Sequence, residues 1–370
     1  MKARVEKVFG NLDPKPEAVV LANAIDPHLD RSFFYLLDVP GGLFEESYAV
    51  GFPDGALHVV TGALEAQSAY AAAKGDPDVT IHEVGPGLSP ADLELKSILG
   101  SARTVGLHYN ELTHESYLRL GKALQGVKFQ DATKGIRKAR VMKDSREIER
   151  LQRAAEIGSA VALEIPSMLH AGMMERELAT QMEHSMMEHG ASGASFSTIV
   201  GFGANGAEPH YAPGEKRLVP GDSMVCDFGA YFRRYASDIT RSFHFGPRDE
   251  EMMRVHDTVE EAQQAALAAI RPGVPARDVH LAAAQVVDES PWKGRFIHGL
   301  GHSIGLAVHD GWRMGPLSAD TLEEGMAITV EPGIYLPGRG GVRIEDDIVV
   351  TKDGYKFLTT APRGYLEVRA

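Results

Sequence analysis

Two stretches of this chain repeat one another. Gly221–Tyr231 reads GDSMVCDFGAY and Gly325–Tyr335 reads GMAITVEPGIY, and both follow Gly-x5-acid-x-Gly-x-Tyr. One spacing separates Asp227 from Glu331 and Tyr231 from Tyr335, and upstream LHAGMMERELA and IRPGVPARDVH echo each other at nearly the same offset. Each half reads as helix, helix, then strands, so the repeat predicts a duplicated α+β unit with a site where the halves meet.

The acids in the repeat are badly placed for an ordinary sheet. Asp227 follows the apolar run Met224-Val225-Cys226, and an unpaired carboxylate is costly to bury. A hairpin folded between Phe232 and Arg233 sets Asp227 opposite Asp238; in the second half Glu331 and Glu345 are symmetric about Gly338, within the turn cluster PGRGG. Like charges facing each other across strands destabilise a sheet. Four carboxylates on two hairpins therefore imply cations between them, and two divalent ions neutralise four acids. The glycine-rich segment HGLGHSIGLAVHD adds His298, His302 and His309, and a mixed oxygen and nitrogen set suits Mn²⁺, Co²⁺, Fe²⁺ or Zn²⁺. Cys226, next to Asp227, points to the opposite face of the strand and reads as core. Tyr231 and Tyr335 also read as core, at the repeat interface.

A chain of 370 residues has room for more than one domain. Up to Gly126, β-type runs such as ALHVV and DVTIHEV alternate with helical stretches such as SPADLELKSILG, which predicts a smaller α/β domain over residues 1–126. Ser89-Pro90 opens a helix there, and Gly100 and Gly126 close helices. The charged segment 127–143 reads as a linker, and Asp144 with Glu147 has the spacing of a capping box at the start of a catalytic domain over 144–370. Hydrophobic residues at 44% and charged residues at 24% are ordinary for a globular protein. A net charge of −13 argues against a nucleic-acid partner, which calls for a basic face. The lone cysteine excludes an internal disulfide, the start MKARVEKVFG lacks a signal-peptide core, and no apolar run has a membrane-spanning length. A cytoplasmic protein with no membrane partner is the expectation.

The segments PHY at 209–211, DFGAYFRRYASDITRSF, HGLGHSIGLAVHD, VEPGIY and GGVRIEDDI, in that order, resemble the motif set of the pita-bread metallopeptidases. The likeness is to their proline-specific branch, which contains prolidase and aminopeptidase P. It implies a pita-bread (creatinase/aminopeptidase) domain with an internal pseudo-twofold repeat, preceded by a creatinase-like α/β domain. It further implies two divalent metal ions, Mn²⁺ with Co²⁺ or Zn²⁺ as alternatives, and a homodimer. Carried onto this chain, it makes Asp227 a ligand of one ion, His302 and Glu331 ligands of the other, and Asp238 and Glu345 bridges between them. His210 and His309 become the catalytic histidines that face the substrate, with His298 as a further substrate-binding histidine. Arg343 would orient a metal-binding carboxylate from behind. Glu331 would also shuttle a proton to the leaving nitrogen, His309 stabilise the oxyanion, and His210 hold the scissile bond.

The activity implied is hydrolysis of the Xaa-Pro bond, whose amide has no N–H to be held by and so needs a dedicated pocket. An Xaa-Pro dipeptidase is the leading expectation. Arg313, in HDGWR, resembles the arginine with which prolidases grip the substrate's C-terminal carboxylate, and the short N-terminal domain agrees. Asp310, where prolidases often carry Glu, points to the alternative, an aminopeptidase P acting on longer proline-containing peptides. From another class, a creatinase-like hydrolase or a metal-free binding protein is opposed by metal-competent residues at all five ligand positions.

Overall fold

The computed structural model describes residues 1–247 and 249–368, in two compact units, one comprising Met1–Arg140 and the other beginning at Val141. In the first unit, the run Ala18–Ala22, apolar at every position, forms a strand buried along its whole length, as a strand covered on both faces requires. Around it lies a six-stranded sheet in the order Val79–Val84, Leu57–Gly62, Tyr48–Gly51, Ala18–Ala22, Thr104–Leu107, Lys128–Asp131. Tyr48–Gly51 runs antiparallel to both neighbours and the other pairings are parallel. Parallel neighbours need crossovers, which helices such as Ala63–Ala73 and His114–Ala123 supply. Ser89 and Pro90 lie in the first turn of the helix Leu88–Leu99, which Gly100 ends at φ 55°.

The stretch 127–143, whose charges read as a joint, carries regular structure. Lys128–Asp131 is the edge strand, in parallel register with Thr104–Leu107, and Thr133–Val141 is a helix. Val127 and Phe129 pack on the core, and Ile136 and Ala139 are fully buried. Exposed Lys128 on the edge strand and exposed Lys134, Arg137 and Lys138 on the helix mask this pattern, since an edge tolerates charge and a helix carries it on its outer face.

In the second unit the Asp144 and Glu147 side chains exchange capping bonds with each other's backbone at 2.8 and 2.9 Å, opening the helix Ser145–Met168. The helix Glu175–Glu188 follows, then strands that include Ser223–Phe228 and Ile239–Phe245; the order recurs as Glu250–Ala269, Ala276–Asp288 and strands that include Ala327–Val330, Gly340–Arg343 and Asp346–Thr351. Each helix pair has its own apolar core, one built on Met182, Phe202, Cys226, Phe228 and Ile239, the other on Val259, Val279, Ile328, Ile334 and Val342. This is the duplicated α+β unit predicted by the repeat. Buried Arg241 joins the halves, its Nη1 donating to Glu345 O at 2.6 Å and its Nη2 to Asp346 Oδ1 at 2.8 Å. Among the described residues no helix is long and apolar enough to cross a membrane.

Candidate metal centre

The first hairpin is folded two residues differently from the sequence expectation. Thr240, not Asp238, stands opposite Asp227, with Ile239 opposite Phe228. The chain turns on Arg233 and Arg234, both left-handed at φ 46° and 71°, so that Phe232 pairs with Tyr235. A two-residue turn with two positive φ angles matches the strand twist, and that preference outweighs the symmetry of the acids. Strand alternation still leaves Asp238, two residues before Thr240, on the face that Asp227 occupies. In the second half Gly333 pairs with Arg343 and Val330 with Asp346, which brackets Glu331 and Glu345 as opposed residues about Gly338.

These acids line one cavity of about 470 Å³. Around it the structure brings together Asp227, Asp238, His302, Glu331 and Glu345, as well as His210, His298, His309, Arg313 and Arg343, with Phe196, Ile199, Ile297 and Val308 as apolar wall. Ligand atoms of Asp238, His302 and Glu345 all lie within 4.8 Å of one another. His302 Nε2 is 3.5 Å from Asp238 Oδ2 and 3.4 Å from Glu331 Oε1. A Cβ at Gly301 would collide with the Thr329 carbonyl, so glycine lets the backbone come close enough for the His302 N–H to donate to Thr329 Oγ1 at 3.0 Å. That hydroxyl in turn donates to Glu331 Oε1 at 3.3 Å.

The electrostatics fit a divalent cation. Asp227 Oδ1, Asp238 Oδ1 and Glu345 Oε1 are buried with no hydrogen-bond partner among the described residues. Burial, then the charges of Glu345 and Asp227, hold the Asp238 carboxyl well above the usual range. Burial with Glu331 and Asp227 does the same to Glu345, and burial foremost pushes Glu331 up to about 8. Burial also drives His302 down to about 3 and His298 down to about 4, and it lowers His309 with help from Arg313. Repelling carboxylates with unused oxygens beside a neutral imidazole form a donor set that binds a divalent ion and releases protons as it does so.

Side chains behind the acids fix this geometry. Arg343 donates through Nη2 to Asp227 Oδ2 at 2.5 Å, through Nε to Thr240 Oγ1 at 3.0 Å and through Nη1 to the Tyr335 oxygen at 2.8 Å. Thr240 Oγ1 donates to Glu345 Oε2 at 2.6 Å, and Asp347 Oδ2 accepts from the Asp238 N–H at 2.8 Å. Tyr335, which reads as plain core in the sequence, also lies 2.9 Å from His298 Nε2, while His298 Nδ1 lies 2.8 Å from Gly299 O. Both nitrogens of His298 are thus engaged within the protein. His210 and Arg313 are exposed. His309 is also exposed, with its ring edge-on to His302 at 4.3 Å. Asp310 faces inward, accepting from the Leu306 N–H at 3.0 Å with Lys143 Nζ at 3.8 Å.

Four carboxylates and an imidazole in one cavity, a pair of acids from each half of a duplicated α+β fold, define a hydrolase built around divalent metal. Residues 149–352 match metallopeptidase family M24 and residues 18–142 match the Creatinase/Prolidase N-terminal domain. The chain belongs to metallopeptidase family M24 and has its two-domain pita-bread architecture. It is 35% identical to an Xaa-Pro dipeptidase of Pyrococcus furiosus, across 74% of this chain and 78% of that one. The solved X-Pro aminopeptidase of Thermotoga maritima superposes with a TM-score of 0.89 at 32% identity, covering 99% of this chain and 100% of the other. The Xaa-Pro dipeptidase of Bacillus anthracis superposes with a TM-score of 0.90 at 30% identity, covering 99% of both. The match to uncharacterized peptidases of Staphylococcus aureus, at 38% identity, spans 62% of this chain and 66% of theirs, just under two thirds.

Proposed function

We propose that the protein is a dinuclear-metal peptidase that hydrolyses the Xaa-Pro bond, acting as an Xaa-Pro dipeptidase. The observation that carries this reading is one cavity holding the acid cluster, the lowered-pKa His309 and the exposed Arg313 guanidinium. Asp227, Asp238, His302, Glu331 and Glu345 would hold two divalent ions, Mn²⁺ or else Co²⁺ or Zn²⁺, which when bound supply a Lewis acid and lower the pKa of water.

The residues of the chain do the rest. Glu331, at the cavity wall, takes up a proton and returns it to the leaving proline nitrogen. His309, neutral at the cavity face, donates to the carbonyl oxygen as its negative charge develops. His210 holds the scissile bond, and the ring of His298 closes the side of the pocket. Because the proline nitrogen offers no N–H, its ring must be placed by shape, for which Phe196, Ile199 and Ile297 provide wall. Arg313 pairs with the carboxylate of the dipeptide.

Aminopeptidase P activity on longer peptides is the second reading, favoured by the full-length likeness to the solved X-Pro aminopeptidase. Asp310, which pointed that way in the sequence, accepts from the Leu306 N–H and lies beside Lys143. A cytoplasmic location and a homodimer belong to the same proposal. The experiment is product analysis with Xaa-Pro and Xaa-Pro-Yaa peptides after chelation and add-back of Mn²⁺, Co²⁺ or Zn²⁺. Restored cleavage of the dipeptide supports the leading reading. Cleavage of the tripeptide alone supports the second, and equal activity with and without chelator refutes both.

A further inference from the structure

His210 stands in the connection between the strands Ile199–Phe202 and Ser223–Phe228, of which Gly203–Ala207 forms a short 3₁₀ turn. An exposed side chain on such a connection is held only as well as the loop beneath it. Beneath it is Glu175, fully buried at the first position of the helix Glu175–Glu188. Its Oε1 accepts from the Phe202 N–H at 2.8 Å and from Asn205 Nδ2 at 2.9 Å. Its Oε2 accepts from the Tyr211 hydroxyl at 2.9 Å and from the Gly214 N–H at 3.0 Å. Asn205 Nδ2 also donates to the Tyr211 oxygen at 2.7 Å, which closes the ring of contacts. The donors flank His210 on both sides in sequence. The main chain of the helix start pairs with the far end of the same loop, Glu175 N–H donating to Lys216 O and Arg176 N–H to Gly214 O, both at 3.2 Å.

The helix itself does not require a glutamate there. Its counterpart in the second half, Ala276–Asp288, places Ala276 at the matching position, equally buried. The carboxylate therefore serves the loop. We propose that Glu175 is a positioning residue that clamps both flanks of the His210 loop and through it sets the orientation of His210 against the bound peptide, an inference that rests on the role given to His210 above. A carboxylate suits the task because it only accepts; a glutamine in the same pose would turn an NH₂ group toward two of the donors.

The test is a double-mutant cycle on the metal-loaded full-length protein with an Xaa-Pro dipeptide, using Glu175→Gln and, as a milder variant, Tyr211→Phe, each alone and with His210→Ala. Glu175→Gln should lower kcat/KM by about 100-fold, the scale of a small misplacement of a reacting group, and should add nothing further when His210 is already alanine. Metal content by elemental analysis should stay at the wild-type value. An equal loss in both backgrounds, or loss of metal, overturns the proposal. If Glu175→Gln does not fold, Tyr211→Phe carries the same cycle, and full additivity there overturns it as well. A wild type that cleaves no Xaa-Pro peptide refutes the functional reading instead. Hydrogen exchange then decides for Glu175: faster exchange confined to residues 203–214 supports the clamp, and unchanged exchange there overturns it.

Discussion

Arg343 donates to Asp227 at 2.5 Å, setting a guanidinium of the second half against an acid of the first. Through Thr240 the same guanidinium also reaches Glu345. One cation thus orients a carboxylate from each half, while Asp227 Oδ1 and Glu345 Oε1 stay without a hydrogen-bond partner among the described residues. The centre is ordered from behind and left open in front.

Arg343→Lys keeps the charge and loses the fork. Metal affinity, measured by calorimetric titration, should weaken by about 10- to 100-fold, the usual cost of losing a residue that orients a ligand. An affinity equal to wild type would remove Arg343 from the centre.

The metal-free protein should have an unusual pH profile. Asp238, Glu331 and Glu345 all have folded-state carboxyl pKa values above the ordinary range, that of Glu331 at about 8. Above the usual carboxylate range, about pH 4 to 4.5, the native state keeps protons that the unfolded chain has released. The stability tied to these groups is complete below that range and is lost as pH rises through the folded values, toward about 8 for Glu331. The lowered histidines His298, His302 and His309 act in the opposite sense up to the ordinary imidazole value of about 6.5, so the Tm of chelated protein should fall between about pH 7 and pH 8, and metal should abolish the slope. A Tm that climbs over this interval without metal would contradict the burial of these acids.

His309→Ala should retain its metal by elemental analysis while kcat falls by roughly 100-fold or more, the typical loss for an oxyanion donor. Loss of metal in this variant would make His309 a ligand.

Arg313 separates the two peptidase readings. Arg313→Ala should lower kcat/KM on Xaa-Pro by about 10- to 150-fold, for a charge-assisted contact of about 1.5–3 kcal/mol. Xaa-Pro-amide and Xaa-Pro-Yaa should change little, since neither has a carboxylate on the proline. Equal losses on the acid and the amide would refute the carboxylate contact.

The sequence made the duplicated fold and the four acids that line one cavity legible, because both depend on spacings along the chain. The first hairpin's register was missed, since acid symmetry says nothing of a turn made by two left-handed arginines, Arg233 and Arg234. The strand at Lys128–Asp131 was hidden by charges that an edge tolerates. Thr240 and Tyr335 lie inside the motif segments but carry no carboxylate or imidazole to mark them as parts of the site, and Glu175 acts on a loop 27 to 39 residues further along the chain. Asp347 was overlooked for a different reason: it looks like one more acid in EDD, and only its bond to the Asp238 N–H sets it apart.

Cys226 precedes Asp227 on its strand and lies sealed in the first half's core, with burial pushing its thiol pKa upward. It is also the only sulfhydryl in the chain. A maleimide can reach it only when the first half's core opens, so the labelling rate counts openings of the packing behind the strand that carries Asp227. The protein thereby contains its own clock for the integrity of the centre, slowed by metal and quickened by chelation, with no engineered reporter.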